Sequence, residues 1–129
     1  YFESRKDQEN TAVNKVSSHF VVGLDGEIIQ CIPLNEIAYA SNDRNQDTIS
    51  IECCHPGKNG KFNKKTYHSL VKLCAWLCVR YEIADKTDII RHYDVTGKLC
   101  PLYYVKHPSK WDALRTDIWN DLLDSQYKN

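Results

Sequence analysis

Apolar side chains with helical spacing mark two stretches of the chain. Between residues 66 and 81 they recur at steps of three and four, which predicts a helix over 66–81 with Asn63 as its N-cap. A second run predicts a closing amphipathic helix over 111–123. Its members available for burial are Trp111, Leu114, Ile118, Trp119 and Leu122.

Alternating and β-branched runs predict the strands. Residues 18–24 and 27–32 flank Asp25-Gly26, a strong hairpin turn signal, and Pro33 ends the return strand. Residues 48–54 predict a buried strand whose side chains alternate between two faces, with Glu52 on the more polar face.

The rest of the chain is less regular. Residues 3–16 are interpreted as the end of a helix followed by a loop, and 88–91 as a short strand that leads into His92. The mixture of strands and helices predicts one α/β domain over 1–129, with a mixed central sheet flanked by helices.

Composition narrows the classes of function. Of 129 residues, 42% are hydrophobic and 26% are charged, as expected of a folded domain. The 17 basic and 17 acidic side chains cancel, and without a basic stripe we expect no nucleic-acid partner. No run of about 18 apolar residues exists, so we expect no membrane span. Six cysteines without a CxxC pair leave disulfides and the redox compartment open.

The most informative segment for chemistry is His92–Pro101, in which Cys100 follows His92 by eight residues across a Thr-Gly turn. Imidazole and thiolate are both good zinc ligands, and the segment between them can fold back onto one metal ion. Lys98 would bring a positive charge to the same pocket. From the residues alone, however, a His and a Cys at this spacing are more often packing residues.

Four ordered segments resemble the zinc-dependent N-acetylmuramoyl-L-alanine amidases that are related to peptidoglycan recognition proteins and to some phage lysozymes. They are 18–26, 29–36, 48–54 and the zinc motif His92–Pro101, in which Lys98 stands two residues before Cys100. The likeness spans roughly residues 17–112 and is greatest to the amidases of clostridial-type bacteria and their phages.

The resemblance implies an amidase-like fold and a hydrolase that cleaves the bond between N-acetylmuramic acid and L-alanine in peptidoglycan. It implies Zn²⁺ held by His92 and Cys100, with Glu52 as general base and Lys98 stabilising the oxyanion. Low-ranked candidates for the substrate groove are Tyr39, Asn42 and Tyr93. Such an enzyme would act in the cell wall or outside the cell, as an autolysin or a phage endolysin, and further wall-binding domains are compatible with it.

The chain departs from this family in three places. One is Ser18, where some phage members carry a catalytic Tyr, and this departure favours Glu52 as the proton-transfer group. The family's first strand ends in a His that ligates zinc, and no such strand precedes Tyr1, so we expect an N-terminally incomplete domain that binds zinc weakly and hydrolyses little by itself. Tyr39-Ala40 stands where many members carry Trp-His, which leaves the substrate details open.

Alternatives remain for the residues and for the function. Glu52 would be a structural carboxylate if it paired with Lys98 or Arg91, and Lys98 would be a solvated loop lysine. A module that binds peptidoglycan without cutting it is one rival function. A cysteine peptidase using Cys100 and His92 is the other, although Pro101 directly after the thiol opposes it.

Overall fold

A computed structural model describes residues 2–4, 18–35 and 48–127. Four short strands form one mixed sheet in the order β1-β4-β2-β3: β1 (Phe2–Ser4), β2 (Phe20–Val22), β3 (Ile28–Gln30) and β4 (Ile51–Cys53). β4 runs parallel to both β1 and β2, whereas β2 and β3 form an antiparallel hairpin. The prediction of a mixed α/β sheet is therefore confirmed.

Four helices follow the sheet: α1 (Lys64–Arg80), α2 (His92–Thr96), α3 (Leu102–Lys106) and α4 (Pro108–Tyr127). The two long predicted helices are confirmed: α1 begins two residues earlier and ends one residue sooner than predicted, and α4 extends beyond both of its predicted bounds. Of the described helices, none is long and apolar enough to cross a membrane. α2 lies within the segment His92–Pro101, and α3 follows it directly.

The core lies between one face of the sheet and the pair formed by α1 and α4. The sheet contributes Phe20, Val22, Ile51 and Cys53, all at most 5% exposed. The helices contribute the apolar positions that their spacing predicts: Leu70, Leu73, Cys74, Leu77, Trp111, Leu114, Ile118 and Leu122. Burial of this apolar face stabilises the helices, because helices of this length are marginal in isolation.

The β2–β3 hairpin is docked on the first turns of α1. Side chains of α1 and its cap donate to three hairpin carbonyls: Thr66 Oγ1 to Gly23 at 2.7 Å, Asn63 Nδ2 to Leu24 at 2.9 Å, and Ser69 Oγ to Gly26 at 2.5 Å. Gly26 has φ +82°, and a Cβ there would lie 2.9 Å from Ser69 Oγ, so the turn requires glycine on both grounds.

Asn63 also caps α1, as predicted. Its Oδ1 accepts from the Thr66 N–H at 2.8 Å, which satisfies one of the free donors of the first turn. One side chain therefore fixes both the start of the helix and its distance from the hairpin.

The strand predicted over 88–91 is wrong. Lys86–Asp88 forms a 3-10 turn capped by Asp85, whose carboxylate accepts from Thr87 N–H at 2.9 Å. The Ile89 N–H donates to Lys86 O, and the Ile89 carbonyl accepts from Arg115 Nε at 2.8 Å. These bonds occupy the backbone groups that a neighbouring strand would need.

The helix end predicted from residue 3 is also wrong for residues 2–4, which form β1. There the chain pairs with the free edge of β4, placing Glu3 opposite Glu52 in the backbone register. Unpaired N–H and C=O groups at a sheet edge favour such pairing. The remainder of the prediction, over 5–16, lies outside the described residues.

Candidate active site

Glu52 lies on the face of β4 that points away from the core. Its side chain is 4% exposed. Because side chains alternate along a strand, it points to the other face of the sheet from those of Ile51 and Cys53. Val21 is its partner on β2. A buried carboxylate on a sheet face is costly unless it is compensated by polar groups, which makes Glu52 a candidate for chemistry.

The strand register places Cys31 and His19 on the same face of the sheet as Glu52. Cys31 follows β3 and donates its backbone N–H to the carbonyl of His19 at 2.8 Å. Partial burial, and then the negative charge of Glu52, raise the pKa of the Cys31 thiol. The thiol therefore lies within electrostatic reach of the carboxylate, a neighbour that the sequence reading did not identify.

His19 is 1% exposed and hydrogen-bonded. Its Nδ1 accepts from the Ser50 N–H at 3.1 Å, so the neutral ring carries its proton on Nε2. The His19 backbone N–H also donates to Ser50 O at 3.0 Å. His19 thus ties the start of β2 to the residue before β4, which is a structural role.

The segment from His92 to Cys100 folds back on itself. His92 is the first residue of α2 rather than the end of a strand, and the helix ends at Gly97, which is left-handed with φ 80°. The Tyr93 N–H then donates to Cys100 O at 3.1 Å. His92 and Cys100, 7% and 3% exposed, are thereby brought side by side along the backbone.

The thiol of Cys100 also lies near β4. Burial raises the pKa of the Cys53 thiol well above its usual range, and electrostatic interactions with the Cys74, Cys54 and Cys100 thiols raise it further. Cys53 is the residue after Glu52. The returning segment and the strand that carries the buried carboxylate are therefore neighbours in the fold.

Arg91 has a different partner from the one considered in the sequence reading. Its guanidinium binds Asp94, with Nη2 and Nε donating to the carboxylate at 2.8 and 3.1 Å. Burial by itself would raise the pKa of Asp94, but the hydrogen bonds and charge of Arg91 outweigh it and hold that pKa below its usual value.

Lys98 and Tyr93 lie on the outer side of this segment. Lys98 is exposed in the return between Gly97 and Cys100, and its N–H donates to Thr96 Oγ1 at 3.3 Å. Tyr93 is 40% exposed, and its ring lies beneath the Arg91 guanidinium at 5.3 Å. Both are accessible to a ligand that approaches the segment from solvent.

Of the remaining candidates, Tyr39 and Asn42 lie outside the described residues, as does the departure at Tyr39-Ala40. Three other histidines lie away from the zinc motif in the sequence. His68 and His107 are exposed, and His55 is half-buried with its Nδ1 2.7 Å from Gly57 O.

Among the described residues, no group of three or more His, Cys, Asp or Glu side chains is arranged to hold a metal ion. His92 and Cys100 nevertheless have the donor chemistry that zinc prefers, and the backbone holds them adjacent. The described part of the chain therefore contains two residues whose chemistry suits zinc.

Comparison with known proteins identifies relatives of this chain. Residues 1–102 match the family model described as N-acetylmuramoyl-L-alanine amidase. The amidase CwlL of Bacillus licheniformis is 33% identical over 79% of the chain, and the amidase BlyA of Bacillus subtilis (strain 168) is 31% identical over 74%. The chain spans about a third of the length of these relatives, 31% of each.

Solved structures show the same fold. The alignment with the structure of PlyL covers 91% of this chain and 80% of the PlyL chain, with a TM-score of 0.74 and 25% sequence identity.

Proposed function

Because the chain belongs to the N-acetylmuramoyl-L-alanine amidase family, we propose that it hydrolyses the amide bond between the lactyl group of N-acetylmuramic acid and L-alanine in peptidoglycan. The observation that carries the proposal is the hydrogen bond from Tyr93 N–H to Cys100 O, which brings the backbone next to His92 against that of Cys100, the two ends of the zinc motif. The site of action would be the cell wall, where an autolysin or a phage endolysin works.

His92 and Cys100 would hold Zn²⁺. The chemistry that Zn²⁺ would supply there is that of a Lewis acid, which makes water a stronger nucleophile near neutral pH. Burial of both side chains supports this assignment, because a nearly dry environment strengthens the interaction of the ligands with a cation.

Glu52 would accept a proton from the attacking water and later deliver it to the amine of L-alanine as that group leaves. Its position on a short, fully paired strand supports this role, since β4 has a strand on either side and holds the carboxylate in place. Lys98 would stabilise negative charge on the amide oxygen, and its exposed position allows the side chain to reach a substrate that arrives from solvent. Tyr93, also accessible, would line the substrate groove.

The test is digestion of purified peptidoglycan. With Zn²⁺ supplied in excess to offset weak binding, we expect falling turbidity and new N-terminal alanine without new reducing sugar ends, since an amidase cleaves no glycosidic bond. Glu52→Gln should reduce the rate by roughly 10²- to 10⁴-fold, the usual contribution of a general base. Glu27→Gln is the matched control, because Glu27 is an exposed carboxylate on the β2–β3 turn and should retain full activity.

The rival functions give different results in the same assay. Binding to walls without release of alanine, before and after zinc is added, would support a binding module instead. Activity that survives chelation and depends on Cys100 alone would support a cysteine peptidase. Equal rates for Glu52→Gln and Glu27→Gln would contradict the role proposed for Glu52.

A further inference from the structure

Arg91 lies where the three elements around the zinc motif meet. Its side chain is only 14% exposed although it carries a full charge. The backbone N–H and the guanidinium of Arg91 both donate to the Asp94 carboxylate, and the Asp94 N–H donates back to Arg91 O at 3.0 Å. These bonds close the first turn of α2 immediately around His92.

The same guanidinium reaches the segment on the other side of the motif. Arg91 Nη1 donates to Tyr104 O at 2.9 Å. Tyr104 belongs to α3, which begins one residue after Pro101. One side chain therefore bonds to the helix that starts at His92 and to the helix that follows Cys100.

Aromatic rings fix the plane of the guanidinium. It lies 5.5 Å from the ring centroid of Trp111 on α4 and 5.3 Å from that of Tyr93 on α2. Trp111 is 3% exposed, so this contact joins the motif to the core. Such cation–π contacts are stronger in partly dry surroundings than at exposed sites.

α2 and α3 need such support because each has only five residues. Helices this short are unstable without tertiary contacts, because the cost of forming the first turn is spread over very few hydrogen bonds. A metal site, by contrast, requires its ligands within about half an ångström of the right geometry.

We propose that Arg91, with Asp94, is a positioning residue that holds His92 and Cys100 in their zinc-binding arrangement. The inference rests on the proposed function and adds to it a residue that touches neither metal nor substrate. Arginine is required, because only the planar guanidinium can engage a carboxylate with two donors, a carbonyl with a third and an aromatic ring with its face.

Arg91→Lys tests this, with Arg115→Lys as the matched control. Arg115 packs on the same Trp111 ring at 4.9 Å and donates to Ile89 O at 2.6 and 2.8 Å, but its bonds go to 87–89 rather than to α2 or α3. The measurements are Zn²⁺ affinity, by competition with a chelating dye, the thiolate-to-metal absorption of the Co²⁺ form, and urea unfolding of the metal-free chain.

We expect Arg91→Lys to weaken Zn²⁺ binding by roughly 10- to 100-fold and to change the Co²⁺ spectrum. Arg115→Lys should keep the Zn²⁺ affinity within about threefold of the parent chain and leave the Co²⁺ spectrum unchanged. This should hold even where the two variants lose similar stability toward urea. Asp94→Asn should resemble Arg91→Lys, and the double variant should lose less than the sum of the two single losses.

Wild-type affinity and spectrum in Arg91→Lys would overturn the inference while leaving the proposed zinc site intact. Equal losses of affinity in Arg91→Lys and Arg115→Lys would also overturn it, because general packing around Trp111 would then explain both. A parent chain that binds no Zn²⁺ would overturn the zinc assignment together with this inference.

Discussion

Replacing Asn63 by alanine removes two different hydrogen bonds with one change. The first is the cap of α1, from Thr66 N–H to Asn63 Oδ1 at 2.8 Å. The second joins α1 to the β2–β3 hairpin, from Asn63 Nδ2 to Leu24 O at 2.9 Å. The side chain is partly exposed, so water will replace part of what each bond contributes.

A cap of this type contributes typically about 1 kcal/mol, and a neutral hydrogen bond that is partly open to solvent contributes a similar amount. Asn63→Ala should therefore lower the free energy of unfolding by about 2 kcal/mol. Asn63→Asp keeps the cap acceptor, adds about 0.5 kcal/mol from negative charge at the helix N-terminus, and loses only the donor to Leu24. Its loss should be at most half as large.

Urea unfolding followed by tryptophan fluorescence measures both variants, with the slope of the transition confirming that the unfolded states are alike. Equal losses in Asn63→Ala and Asn63→Asp would refute the reasoning, because the cap would then contribute nothing. A loss below about 0.5 kcal/mol in Asn63→Ala would refute it as well, since surface substitutions without a special role usually fall in that range.

Two further predictions concern titrating groups. Burial raises the pKa of Tyr104 to about 12 from 10.0, so the unfolded chain loses this proton first and stability should fall between pH 10 and 12, by roughly 1.4 kcal/mol per pH unit. Urea unfolding at pH 9 and pH 11 should show a smaller fall in Tyr104→Phe, and parallel falls would contradict the prediction. The Glu52 carboxylate helps to raise the pKa of Cys31, so Glu52→Gln should speed alkylation of Cys31 by iodoacetamide, measured by peptide mapping. An unchanged rate would place the carboxylate away from that thiol.

Local pattern was sufficient for the long helices and the hairpin. The spacing of Leu70, Leu73 and Leu77, with Asn63 before them, predicts α1 because both signals depend on residues within a few positions. Asp25-Gly26 predicts the turn for the same reason. Alternation in β4 correctly predicts that Glu52 and Ile51 point to opposite faces.

The elements that sequence reading missed depend on distant residues. The run from Asp88 to Arg91 has β-strand character, but Asp88 closes a 3-10 turn, and Arg115, 26 residues after Ile89, donates to the Ile89 carbonyl. Arginine is not among the residue types that usually cap helices, so the sequence does not predict that Arg91 precedes α2 as its cap. The position of Arg91 depends on its contacts with Asp94, Tyr104 and Trp111. The prediction that His92 and Cys100 act on one metal stays a prediction, although the fold places their backbones together.

Hairpin tips are ordinarily the places where a protein accepts a peptide tag or a grafted loop, because such turns contact little else. The Asp25-Gly26 tip is an exception, since Gly26 accepts from Ser69 and has no room for a side chain on the α1 side. Gly97 offers the contrasting case: a Cβ there would meet nothing within 4 Å, but the turn lies between the two residues proposed to hold zinc. Epitopes or fluorophores for following this domain on cell walls therefore belong at the exposed loop around Lys58–Asn59, which is remote in sequence from both turns.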